Sequence, residues 1–171
     1  MKIAKFLPWC GAISCVLALQ VSANTIYLVR HAEKQDDGKD PVLSECGQAR
    51  AAALARYFSD IELEAVYATP FQRTRQTAAA VASSKQLAVT SYDPRQPEQL
   101  QQQLQAFTQP VLVVGHSNTV PQLVKLLSGI EVAPLSEQQY NLLYKVQLGQ
   151  QISVTLQLQP FGCGQTVKSK T

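Results

Sequence analysis

The chain of 171 residues carries two histidines, and each follows an apolar, strand-like run directly: Leu28-Val29-Arg30-His31 and Val113-Val114-Gly115-His116. A lone histidine is ordinarily structural. Two of two at matching strand ends point instead to an imidazole doing chemistry, as a nucleophile or as a partner to one. A third apolar run, Ala65 to Thr69, leads into Pro70-Phe71-Gln72-Arg73-Thr74-Arg75. Arg30 and Arg73 then reach the same region as His31 and His116. The planar guanidinium fork suits a phosphoryl group, which it holds through paired, charge-assisted hydrogen bonds. Arg75 lies about 200° around a helix from Arg73, so one of the two faces the site and the other faces water. Gly115-His116-Ser117-Asn118-Thr119 adds a glycine-bearing turn that opens a helix. Its free N–H groups, with Ser117 and Asn118, would face an anion held there. The whole set describes a phosphate pocket with a nucleophile inside it.

The elements that must position these residues are readable in outline. Thr25 to Val29 is a β-rich run, Ala65 to Thr69 a short strand stopped by Pro70, Leu87 to Thr90 a weak strand, and Val111 to Val114 a buried one. Between them, helical periodicity covers Ser44 to Phe58, with Ser44 as N-cap, then Arg73 to Ser83 and Thr119 to Leu127. The glutamine-rich stretch Gln96 to Gln109 reads as low complexity, but Leu100, Leu104 and Phe107 fall at i, i+4 and i+7 and mark an amphipathic helix. Tyr140 to Leu148 and Ile152 to Leu158, joined near Gly149, form an antiparallel hairpin. Alternating strands and helices predict an α/β fold, a three-layer α/β/α sandwich with a mostly parallel central sheet and a C-terminal antiparallel hairpin. Right-handed crossovers bring the strand C-termini to one edge, where open α/β sheets bind ligands.

The N-terminus reads as a leader. Lys2 and Lys5 precede an apolar stretch, Phe6 to Leu19, which ends at Val21-Ser22-Ala23. This is the pattern of a secretory signal peptide, and the stretch falls short of the ~20 residues a membrane-spanning helix needs. An uncleaved anchor and lipidation at Cys15 are the alternatives. The expected layout is a signal peptide over 1–23 and one domain over 24–171, placing the protein in the periplasm or outside the cell with no stable membrane insertion. Without Lys2 and Lys5, 13 basic residues face 12 acidic ones, a net charge of about +1. No Lys/Arg-rich stripe is present for a nucleic-acid backbone, so that partner is discounted. Cys46 and Cys163 remain in the mature chain and could form one disulfide or stay as two buried thiols.

These motifs resemble those of the histidine phosphatase superfamily, whose fold is shared by cofactor-dependent phosphoglycerate mutases and many small phosphatases. Its Arg-His-Gly/Ala signature matches Arg30-His31-Ala32. The later Ser/Thr-x-x-x-Arg pattern matches Thr69 through Arg73 to Thr77-Ala78, the second histidine matches His116, and Leu43-Ser44-x-x-Gly47 matches the family's first helix start. The resemblance spans about residues 25 to 158. It implies that His31 attacks phosphorus and becomes phosphorylated while Arg30, Arg73 and His116 hold the phosphoryl oxygens. It also implies a small-molecule or envelope-derived phosphate monoester as substrate, with no metal and no cofactor. Arg75 has no counterpart in the pattern. The proton donor for the leaving group is open between Asp93, Glu98 and Glu33, with Asp93 the best placed. If none of them serves, good leaving groups such as phosphohistidine or acyl phosphates are favoured. A phosphoramidate hydrolase and a non-catalytic phosphate-binding module are the competing functions.

Overall fold

A computed structural model describes residues 24–36 and 38–163. The leader reading and Cys15 lie outside the described residues. Six strands and four helices follow in the order β1 (Asn24–Arg30), α1 (Glu45–Tyr57), β2 (Ala65–Ala68), α2 (Gln72–Ser84), β3 (Val89–Ser91), α3 (Pro97–Gln105), β4 (Val111–Gly115), α4 (Thr119–Ser128), β5 (Leu142–Leu148) and β6 (Ser153–Leu158). They build one mixed sheet in the order β3-β2-β4-β1-β5-β6. The four strands β3, β2, β4 and β1 run parallel, and β5 and β6 add the antiparallel hairpin.

Both faces of the central sheet are covered, which is why β1 and β4 are buried along their whole length and read as unbroken apolar runs. Alternate residues point to opposite faces and feed two cores. Tyr27, Val29, Leu112 and Val114 pack with Leu54 of α1, Phe58 just past its end and Val81 of α2. Ile26, Leu28, Val111 and Val113 pack with Leu100 and Leu104 of α3 and Leu123 and Val124 of α4. The three-layer sandwich follows from this split.

The helix ends explain the boundaries. Ser44 caps α1 by accepting a hydrogen bond from the Gly47 amide at 3.1 Å. The third strand begins at Val89, two residues later than the apolar run suggests. Gln86 adopts a left-handed φ of 56°, and the Leu87 amide donates back to the Ala82 carbonyl at 2.9 Å. That closure uses the first residues of the run to end α2, so pairing starts only at Val89 opposite Val66. The glutamine-rich segment is helical, with Leu100 and Leu104 buried; Phe107 lies beyond the helix and packs edge-on against Tyr67.

The topology also sets the place of the site. After β1 the chain leaves through α1 on one face; after β4 it leaves through α4 on the other. The neighbouring C-terminal ends of β1 and β4 are thus left open between diverging connections, the crevice at which such sheets bind ligands.

Candidate active site

Strand register brings the two histidines together. Arg30 lies opposite Gly115 in the β1–β4 ladder, and the His31 amide donates to the Gly115 carbonyl at 2.9 Å. His31 and His116 are therefore the next residues along two adjacent strands, and their rings meet edge to face with centroids 5.4 Å apart. Gly115 leaves room for the Thr119 hydroxyl, which accepts from the His116 amide at 2.8 Å and would stand 2.7 Å from a Cβ at position 115. Arg30, His31, Arg73, His116, Ser117 and Asn118 all line one cleft of about 420 Å³.

His31 is 3% exposed. Its Nδ1 lies 2.8 Å from the Ala32 carbonyl, which can only accept, so the neutral ring carries its proton on Nδ1 and leaves the lone pair on Nε2. Burial first, then the positive charges of Arg30, His116 and Arg73, pull its pKa down from 6.5 to about 3, against the opposing effect of the Ala32 hydrogen bond. Burial and the two arginines lower His116 to about 4, with Glu137 opposing. Both imidazoles are neutral at pH 7, as a nucleophile requires.

Three threonines hold this geometry. The Thr69 hydroxyl sits 2.9 Å from His116 Nε2 and 2.8 Å from the Thr74 hydroxyl; Thr69 directly follows β2 and Thr74 lies in the first turn of α2. The Thr77 hydroxyl accepts from the Ala32 amide at 3.0 Å and donates to the Arg73 carbonyl at 2.7 Å, tying the turn after His31 to α2. Positions 69, 74 and 77 belong to the motif read from sequence, but only the fold shows what they touch. Arg73 stacks on Phe71 at 4.6 Å and lies 3.6 Å from Asp40. The Nε of Arg30 and that of Arg73 are buried with no hydrogen-bond partner, two donors available to an anion in the cleft. Arg75 is exposed and lines a different depression.

The three carboxylates considered as proton donors do not line this cleft. Arg95 grips both oxygens of Asp93, at 3.0 and 2.9 Å, and the Arg95 amide bonds the same side chain. These bonds hold Asp93 ionised, at about 2, and turn it into a loop-forming residue. Glu33 is held by the Arg50 guanidinium at 2.7 to 3.0 Å, and Glu98 sits in the first turn of α3. The carboxylate that does line the cleft is Glu137, from the 129–141 connection, which the sequence offered no motif to single out. Tyr140 of the same connection stacks on Arg30 at 4.2 Å.

Cys46 and Cys163 form a disulfide, with Cα atoms 5.7 Å apart, the separation that sequence could not supply. Together with Glu33 they are the group of potential metal ligands, all within 4.8 Å, among the described residues. The sulfurs are bonded to each other and Glu33 is paired with Arg50, so this cluster is not suited to an ion.

The protein is thus of the α/β class, with a cleft that sets two arginines around two neutral imidazoles, a set of groups able to hold a phosphoryl-sized anion. The family model described as histidine phosphatase superfamily (branch 1) matches residues 26–100. The fold is similar to that of the protein histidine phosphatase SixA complexed with tungstate, with a TM-score of 0.67 and 22% identity over 80% of this chain and 97% of that one. It is also similar to the mycobacterial glucosyl-3-phosphoglycerate phosphatase Rv2419c, with a TM-score of 0.61 and 12% identity over 80% and 98%. Phosphoserine phosphatase 1 of Hydrogenobacter thermophilus is 39% identical over 75 residues, which cover 40% of this chain and 36% of that protein. The family match takes in less than half of the chain, and the chain spans about a third of the length of the curated relative it matches.

Proposed function

We propose that the protein is a phosphatase that hydrolyses small phosphate monoesters through a phosphohistidine at His31. The observation that carries the reading is the His31 ring itself: buried, neutral, with its proton held on Nδ1 by a backbone carbonyl and its Nε2 lone pair free. In this mechanism Nε2 attacks phosphorus in line as the ester P–O bond breaks, and the leaving oxygen takes the electron pair of that bond and a proton from solvent to depart as the alcohol. Water then attacks the same phosphorus and gives up a proton to solvent, the P–N bond breaks with its electron pair returning to Nε2, and inorganic phosphate leaves. Arg30, Arg73, His116 and the Ser117-Asn118 turn stabilise the charge on the transferred group. No metal takes part. The leader-like residues 1–23 support export, and the Cys46–Cys163 disulfide suits an oxidising compartment.

A second reading concerns the leaving group. Asp93 and Glu33 are paired with arginines and Glu98 lies on α3 outside the cleft lining, and this favours substrates whose leaving group departs without a strong acid, such as phosphoramidates and aryl phosphates. The test compares p-nitrophenyl phosphate, an alkyl phosphate and a phosphoramidate in the presence of a chelator, beside trapping of the acid-labile phosphoenzyme. Turnover with a trapped intermediate is expected for wild type and none for His31→Ala. Activity surviving in that variant sinks the mechanism; phosphate binding without turnover of any ester supports a binding module instead.

A further inference from the structure

The Glu137 carboxylate bridges two donors of the cleft. Its Oε2 lies 2.6 Å from Arg30 Nη2 and its Oε1 lies 2.7 Å from the Ser117 hydroxyl. Two oxygens on one centre, held by an arginine and by the helix-opening turn, reproduce the way a phosphoryl group would sit there. We propose that Glu137 is a built-in competitor for this pocket, an internal anion that occupies Arg30 and Ser117 until an incoming phosphoryl group displaces it. The proposal rests on the reading of the cleft as a phosphoryl site.

The contact is asymmetric in a way that fits displacement. Arg30 is 2% exposed, whereas the Glu137 side chain is 70% exposed. Arg30 does not depend on Glu137 for its position: Nη1 donates to the Ser136 carbonyl at 2.8 Å and the Gln139 carbonyl at 3.4 Å, and the Tyr140 ring stacks on its guanidinium. The backbone of the connection can therefore stay on Arg30 while the Glu137 side chain rotates into water, where little burial is lost. Glu137 also stays ionised, because Ser117 and Arg30 hydrogen-bond its charged form. Each cation of the lining has a carboxylate beside it: Asp40 lies near Arg73, Asp93 on Arg95, Glu137 on Arg30, and Asp36 3.9 Å from Lys34. Of these four carboxylates only Glu137 lines the cleft, so it is the one in the way. A monoanion exchanges one unit of charge for another and gains little. A phosphoryl dianion brings more charge and further oxygens for the unpaired Nε donors of Arg30 and Arg73. Glu137 thus sets both affinity and the preference for dianions.

The experiment measures binding of inorganic phosphate to the purified protein by calorimetry, which needs no turnover. Glu137→Gln and Glu137→Ala are each expected to bind about tenfold more tightly than wild type, the effect of removing one unit of repulsion near a dianion at solvent-like screening. Glu131→Gln is the control: Glu131 is in the same connection, paired with Lys125 at 3.2 Å and absent from the cleft lining, and its loss is expected to leave the affinity unchanged. If wild type binds phosphate and both Glu137 variants bind equally or more weakly, the inference is overturned and Glu137 serves only to position Arg30. Equal tightening in Glu131→Gln also overturns it, since the effect would then come from overall charge. Failure of wild type to bind phosphate at all would instead refute the phosphoryl reading of the cleft.

Discussion

Lowering the pH from 7 to 5 should destabilise this protein through its two histidines, and the size of the loss follows from their burial. In the unfolded chain an imidazole takes up its proton near pH 6.5; in the fold His31 does so only near pH 3 and His116 near pH 4. Between those limits the unfolded state binds more protons, so stability falls as the pH drops. For His31 the loss between pH 7 and pH 5 is about 2 kcal/mol, set almost entirely by the unfolded pKa because the folded value lies well below the window. His116 is partly exposed, and solvent screening reduces its share to about 1 kcal/mol. The lowered carboxyls of Asp93 and Glu137 act only at lower pH, so they do not enter this window. With a urea m-value of about 2 kcal/mol/M, the total of about 3 kcal/mol moves the unfolding midpoint down by about 1.5 M. Urea melts of wild type and His31→Asn at pH 7 and pH 5 check this. The variant should lose only about 1 kcal/mol over the same interval, whatever its starting stability. A wild-type midpoint that shifts by less than about 0.5 M, or a variant that keeps the full wild-type shift, refutes the claim that His31 is held neutral by its surroundings.

Two further outcomes follow. Arg73→Lys keeps the charge but loses the planar fork and the stacking on Phe71, and kcat/KM on an aryl phosphate should fall by about 10²–10³-fold; steady-state kinetics on the purified variant measure it, and a change under threefold would remove Arg73 from the phosphoryl site. Reducing the Cys46–Cys163 disulfide, which closes a separation of 117 residues, should cost about 2–4 kcal/mol. Thermal melts with and without reductant read that loss, and a Cys46→Ser/Cys163→Ser double variant should be insensitive to reductant.

The sandwich, the parallel sheet with its C-terminal hairpin and the edge that carries both histidines were legible because they rest on local signals; the strand order came only with the fold. Apolar runs such as Val111 to Val114 are continuous when both sheet faces are covered, helical stretches repeat with a period near 3.6, and strand-end histidines must then lie on one edge. The misplacement of β3 by two residues was a matter of helix termination: the left-handed turn at Gln86 outweighs the β preference of Leu87. The choice of acid was harder. Asp93, Glu33 and Glu98 are near the motifs in sequence, but whether a carboxylate reaches a site depends on which cation claims it first. Arg95 and Arg50 claim two of the three through contacts that have no sequence periodicity.

The motifs alone were enough to nominate His31, Arg30, Arg73, His116 and the Ser117-Asn118 turn, each beside a strand end or in the first turn of a helix whose pattern is written in its own residues, and the fold brings them to one cleft. Only the tertiary structure decided the groups that act across long separations. Glu137 meets Arg30 across 107 positions, Cys163 meets Cys46 across 117, and Thr77 meets Ala32 across 45. The physical reason is the same for all three. Hydrogen bonds, ion pairs and disulfides are fixed by distances of a few ångströms, and for residues in different elements those distances exist only once the sheet register and the packing of both faces have been set.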